Sequence, residues 1–348
     1  MKKQGLGILL SVCLLAGSLS GCGKAEEKDY YGQGVAQLEE QDYSNAITSF
    51  EQAVEKEQRV AESYRGLGIA ALESRDYPTA ISAFSRSLLN LDASNAAFEK
   101  DVQCYLASAR SQYGENDKAI EVYTEILDKY KEPQFYYLRG KCELDEKDYD
   151  AARTDFEQAL KGSKDYDMYI MVYETYAEHN MAADGDTYLE EALDIDVVEA
   201  QDYYNRGRIY YCLADYDNAK ADLIQAMNDG NAEAVLLLGK VYMAVNDMAN
   251  ARAMYKDYMN QNGENPMSYN GLALCDIADG DYETALANVQ KGISLGSGNA
   301  IKNLLYNEII IYEYLLDFET AKAKMADYLV LYPSDENALR ENTFLSTR

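Results

Sequence analysis

The chain has 348 residues, beyond the length at which one compact core keeps growing, so several domains or a repeating array are expected. Hydrophobic residues make up 47%, prolines number four, tryptophan is absent and 32 tyrosines outnumber seven phenylalanines, a helix-compatible mixture that excludes a disordered chain. Sixty acids against 32 lysines and arginines give a net charge of −28, which repels phosphate backbones and argues against a nucleic-acid partner.

The first segment differs from everything after it. Lys2 and Lys3 open the chain, Leu6 to Ala16 form an apolar stretch, and small residues follow up to Cys22. That order is an export signal, and the stretch is shorter than the roughly 18 to 20 residues that cross a bilayer. Leu19-Ser20-Gly21-Cys22 resembles the lipobox of bacterial lipoproteins. The resemblance implies a signal peptide over residues 1–21, cleavage before Cys22 and a diacylglyceryl group on its sulfur. Residues 22–29 become a lipidated N-terminus and short linker, and two acyl chains hold the chain stably on the outer side of the cell membrane. Of the other cysteines, Cys104, Cys142, Cys212 and Cys275 lie 38, 70 and 63 residues apart with no C-x-x-C pair, and read as buried free thiols.

From Asp29 onward a rhythm takes over. DYSNAITSFEQAV (42–54), DYPTAISAFSRSL (76–88), DYDAARTDFEQAL (148–160), DYDNAKADLIQAM (215–227) and DYETALANVQKGI (281–293) share one register. Its alanine marks Ala46, Ala80, Ala119, Ala152, Ala219, Ala251, Ala285 and Ala321, with Gly185 in the missing slot, at intervals of 34, 39, 33, 33, 34, 32, 34 and 36 residues. A large residue followed four positions later by glycine recurs upstream, as in Tyr64 with Gly68, Tyr136 with Gly140, Tyr203 with Gly207 and Val235 with Gly239. Small residues let two helix axes approach while large ones fill the space between them.

This pattern resembles the tetratricopeptide repeat, a helix-turn-helix unit of about 34 residues. The resemblance implies an all-α fold: an α-solenoid of about nine repeats forming a right-handed superhelix, its concave groove lined by the first helix of each repeat. Repeats 1 to 4 cover residues 30–162, a degenerate acidic repeat 5 covers 163–198, repeats 6 to 9 cover 199–333, and 334–348 form a capping helix. The interval of 39 places about five extra residues in the loop before the third repeat.

Catalytic patterns are scarce. His179 is the one histidine, so a zinc site built on a histidine pair is excluded, and no G-x-S-x-G occurs. No cofactor is expected. Gly66-Leu67-Gly68-Ile69-Ala70-Ala71 matches a loose dinucleotide pattern, but no strand precedes it and it falls inside a first helix. Asp279-Gly280-Asp281-Tyr282-Glu283 has its glycine misplaced for a calcium loop and reads as an inter-helix turn.

Residues 165–202 carry twelve acids and no lysine or arginine. They read as a solvated face, or as a landing patch for a basic segment carried by Asp184, Asp186, Glu190, Glu191, Asp194 and Asp196. Arg139 and Arg206 stand where the family usually has leucine, facing the second helix of their own repeats, and Asp155 and Asp222 are the expected ion-pair partners. On the groove face, Lys141, Arg208 and Lys240 share one position, flanked by Tyr137, Tyr204 and Tyr211. These six residues are the expected partner groove, suited to acidic or C-terminal carboxylate groups.

The resulting expectation is a non-enzymatic, membrane-anchored scaffold that binds protein or peptide at the bacterial cell envelope. A capture lipoprotein for a small molecule or glycan and an accessory subunit of an envelope enzyme are the alternatives.

Overall fold

The computed structural model describes residues 28–91, 95–333 and 335–348. Cys22 and the signal segment lie outside the described residues. All regular structure among the described residues is helical, in two compact units divided after Asp155.

The first unit comprises α1 (Tyr30–Glu39), α2 (Tyr43–Glu55), α3 (Val60–Glu73), α4 (Tyr77–Leu89), α5 (Ala96–Tyr113), α6 (Asn116–Lys129), α7 (Pro133–Asp145) and the start of α8 (Tyr149–Leu160). The second holds the rest of α8, then α9 (Tyr166–Glu178), α10 (Ala182–Ala192), α11 (Ala200–Cys212), α12 (Tyr216–Asn228), α13 (Ala232–Ala244), α14 (Met248–Asn262), α15 (Pro266–Asp279) and α16 (Tyr282–Ser294). A 3-10 turn, Gly298–Ile301, then leads to α17 (Lys302–Tyr314), α18 (Phe318–Leu331) and α19 (Glu336–Leu345). Within each unit, consecutive helices pack as antiparallel pairs, and each pair packs on the next.

The recurring aspartate has a physical role at the turn inside each pair. Asp42, Asp76, Asp215, Asp247, Asp281 and Asp317 each accept a hydrogen bond from the backbone N–H three residues on, satisfying a donor that the helix itself leaves open. The residue just before each cap is left-handed. Gly114 and Gly280 serve twice, but Gln41, Arg75, Lys147, Asn180, Ala214, Asn246 and Leu316 take the same positive φ, a backbone requirement that the side chains do not advertise.

The eight marker alanines are all 0% exposed, and the residues four positions later, Phe50, Phe84, Tyr123, Phe156, Leu223, Tyr255, Val289 and Met325, are buried with them. Burial of this i, i+4 stripe against the partner helix is the main source of stability in short helices of this kind.

Two details depart from the sequence reading. The extra residues of the third repeat mostly enter its first helix, because α5 runs 18 residues where the other first helices run 10 to 14. Asn95 caps it by accepting from Phe98 N. In the degenerate repeat, Gly185 compensates for Tyr173. A Cβ at 185 would stand 3.0 Å from the Tyr173 ring and 3.1 Å from its Cα, so the small residue has moved from the first helix to the second and the pair still closes. At the C-terminus, α19 buries Ala338 and Leu345 against Ile309, Met325 and Tyr328.

Candidate functional site

In the first unit, the first helices of two successive repeats leave a space between them. Tyr31, Val35, Leu38 and Glu39 of α1, Glu62, Arg65, Gly66 and Ile69 of α3, and Phe50 of α2 line a cavity of about 100 Å³. Its floor exists because of glycine. A Cβ at Gly34 would approach the Phe50 ring to 2.9 Å, and one at Gly66 to 2.4 Å, so the aromatic ring fills a slot between two helices and is fully buried beneath the cavity. Tyr31 meets Phe50 edge-on at 6.1 Å. The same device recurs in the second unit, where Tyr255 lies between Gly239 and Gly271, with Cβ approaches of 2.7 and 2.3 Å. The Tyr255 hydroxyl reaches Met243 Sδ at 3.5 Å, and burial raises its pKa.

The charges at the cavity mouth are unequal. Arg65 donates to Asp101 Oδ2 at 2.5 Å and lies 5.3 Å from the Tyr105 ring centroid. Arg59 is stacked 4.9 Å over Tyr31. Among the described residues, Glu39 and Glu62 stand in no ion pair.

The six expected groove residues divide between the units. In the first, Tyr137 is buried at 6% exposure, a correction to its expected role: the ring is part of the wall of α7 and offers no broad face. Lys141, on the same helix, is half-buried. In the second, Tyr204, Arg208 and Tyr211 are half-buried on α11 and Lys240 is exposed on α13. Arg208 lies 5.8 Å from the Tyr204 ring, but its Nη1 donates to Asp167 Oδ1 at 2.5 Å and to Asn205 Oδ1 at 3.4 Å. Its charge is therefore largely met by α9. Partial burial raises the carboxyl pKa of Glu174, at the equivalent position of the degenerate repeat, and Arg208 opposes that shift.

The acidic set follows one face. Gly185, Tyr188, Leu189 and Ala192 form the buried side of α10, which leaves Asp184, Glu190 and Glu191 exposed and Asp186 half-buried, with Asp194 and Asp196 exposed beyond the helix.

Both arginine-aspartate pairs are two-pronged. Arg139 Nε and Nη2 donate to Asp155 at 2.7 and 2.8 Å, and Arg206 Nε and Nη2 donate to Asp222 at 2.6 and 2.8 Å. Arg139 also donates to Thr124 Oγ1 at 3.0 Å. Glu143 sits 3.7 Å from Arg139, yet burial and then the neighbouring Asp155 push its pKa up to about 7. The thiols of Cys104, Cys142 and Cys275 are buried, and desolvation holds all three above the ordinary thiol range. No cluster of three metal-ligating side chains occurs among the described residues.

The cavity residues Val35, Leu38 and Ile69 escaped the sequence reading because that reading looked for cations on this face. The available signal was Gly66, a second glycine two places before the repeat's own Gly68.

A tetratricopeptide repeat family model matches residues 31–97 and 106–167, and a second tetratricopeptide repeat model matches 201–228. The BBSome complex member BBS4 homolog of Drosophila melanogaster is 22% identical over 259 residues, covering 68% of this chain. The chain spans about half of that relative's length, 53%. A solved tetratricopeptide repeat protein from Parabacteroides merdae is 13% identical with a TM-score of 0.46, covering 71% of this chain and 97% of its own. Yeast Tom70 is 15% identical with a TM-score of 0.44, over 91% and 88%.

Proposed function

We propose that this chain, an α-solenoid built of tetratricopeptide repeats, is a non-enzymatic scaffold that holds a protein or peptide partner at the bacterial cell envelope, anchored through lipid on Cys22. Stacked helix pairs present extended surfaces on which several repeats contribute to one ligand, and protein partners are the usual ligands of such surfaces. The observation that carries the reading is the cavity between α1 and α3, where groove positions of successive repeats converge on the Phe50 ring. A cavity of mainly apolar lining with a few charged groups at its mouth is the common form of a recognition pocket. The lipobox supports the location, and the short apolar stretch before it supports export.

Site-specific photo-crosslinking in intact cells tests this. A photoreactive residue in place of Leu38, in the cavity, is expected to give a discrete protein adduct identified by mass spectrometry, and one in place of the exposed Leu89 is not. Leu38 giving no protein adduct, while the purified chain carries a bound glycan or small molecule, would replace the scaffold reading by capture.

A further inference from the structure

The cavity in the first unit has a floor and a rim of different character, and together they specify what fills it. The floor is Val35, Leu38 and Ile69 over the buried Phe50 ring, with Gly66 contributing no side chain. Its volume is about 100 Å³. An apolar cavity of roughly 150 Å³ accepts a benzene ring, so this space suits a branched aliphatic side chain and is tight for an indole. The rim carries Glu39 and Glu62. The arginines nearby form no ion pair with them: Arg65 is held by Asp101, and Arg59 lies on the Tyr31 ring. An apolar side chain entering here brings its flanking residues beside two carboxylates that have no ion-pair partner among the described residues.

We propose that the cavity takes a leucine-like side chain from a partner segment whose neighbouring residues are lysine or arginine, the cations being placed against Glu39 and Glu62. This rests on the reading that the cavity receives a protein partner, and adds the partner's chemistry. Burial of the aliphatic group supplies most of the affinity. The carboxylates supply selection against acidic segments, because a like charge at the mouth is repelled where an opposite one is attracted. The buried Phe50 ring beneath the cavity explains Gly66 in a helix where alanine is otherwise the better residue: a methyl group there would strike the ring.

Three labelled nonapeptides are titrated into the full-length chain in detergent and followed by fluorescence anisotropy. The first has a central leucine between two pairs of lysines, the second replaces the leucine by serine, and the third replaces the lysines by glutamates. The first is expected to bind about tenfold more tightly than the second, as burial of one aliphatic side chain predicts, and more tightly still than the third. Glu39→Gln with Glu62→Gln is expected to weaken the first peptide severalfold and leave its preference for leucine over serine unchanged. Ile69→Trp, which fills the cavity, is expected to remove that preference.

Retained leucine preference, lost in Ile69→Trp, with no difference between the lysine and glutamate peptides overturns the charge assignment alone. Leucine preference that is absent, or present and unaffected by Ile69→Trp, overturns the cavity as the docking site. Because the chain carries a charge of −28, basic peptides also feel its general field. Loss of lysine preference on neutralising Asp184, Asp186, Glu190 and Glu191, with none on neutralising Glu39 and Glu62, would move the electrostatic selection to α10 and overturn the proposal.

Discussion

Arg206 and Asp222 are joined by two hydrogen bonds of 2.8 Å or less across sixteen residues, and in the last repeat Glu308 and Lys324 make the same connection with the charges reversed. Lys324 Nζ lies 3.0 Å from Glu308 Oε2. Arg139 and Asp155 are the third instance of that spacing. The position therefore tolerates either order of charge, provided that both members are present.

A charge swap follows from this. Arg206→Glu and Asp222→Lys singly place like charges together. Each should lower protection of the α11 and α12 amides in hydrogen exchange by about 2 kcal/mol, less than the roughly 3 to 5 of a fully buried pair, because Arg206 keeps some solvent contact. The double variant should recover at least half of the loss. Additive losses in the double variant would show that the two side chains are not coupled.

Gly185→Ala is expected to destabilise the α9–α10 pair, by about 1 kcal/mol, although alanine is the better helix former by a similar amount. The reason is the approach to Tyr173, 3.0 Å to its ring and 3.1 Å to its Cα. In a Tyr173→Ala background the ring is gone and the helices can adjust, so the same substitution should become neutral or stabilising. Protection of the α9 and α10 amides reads the sign. The same sign in both backgrounds would mean that Gly185 is not the counterpart of Tyr173.

The C-terminal helix should loosen as pH rises. Burial, then the charge of Glu341 on α19, push the pKa of Glu313 of α17 from 4.5 up to about 7. Tyr306 on α17 and Arg340 on α19 share this neighbourhood. A raised folded-state pKa means that folding takes up a proton, so the contribution is complete below pH 4.5 and is lost as pH rises through about 7. With Glu313 partly solvated, the loss is about 1 to 2 kcal/mol. Hydrogen exchange of the α19 amides, corrected for intrinsic rates, should show decreasing protection from pH 5 to 8, and Glu313→Gln should flatten the profile. A flat wild-type profile excludes the effect.

Cys22 is expected to carry the lipid. Metabolic labelling with an alkyne fatty acid should mark the wild-type chain and not Cys22→Ala, and the variant should leave the membrane fraction. Continued labelling and membrane fractionation of the variant would place the anchor elsewhere. No helix among the described residues is long and apolar enough to cross a bilayer.

What the sequence determined by itself is local. The marker alanine, the aromatic or aliphatic residue four places on, the aspartate cap and the sixteen-residue spacing of Arg206 to Asp222 all fall within one helix pair, where periodicity alone says which side chains face each other. The tertiary structure decided what passes between repeats. Arg208 meets Asp167, 41 residues away, and Phe50 reaches Gly66 of the following repeat. Such contacts depend on the rotation of one helix pair on the next, which the 34-residue period does not specify. A lone cation in the pattern thus became half of an ion pair, Tyr137 went into the wall, and most of the additional residues lengthened α5 where hydrogen-bonded backbone could absorb them. The cavity between α1 and α3 is a property of that stacking, formed above the buried Phe50 ring where two glycines from different repeats let the helices close on it.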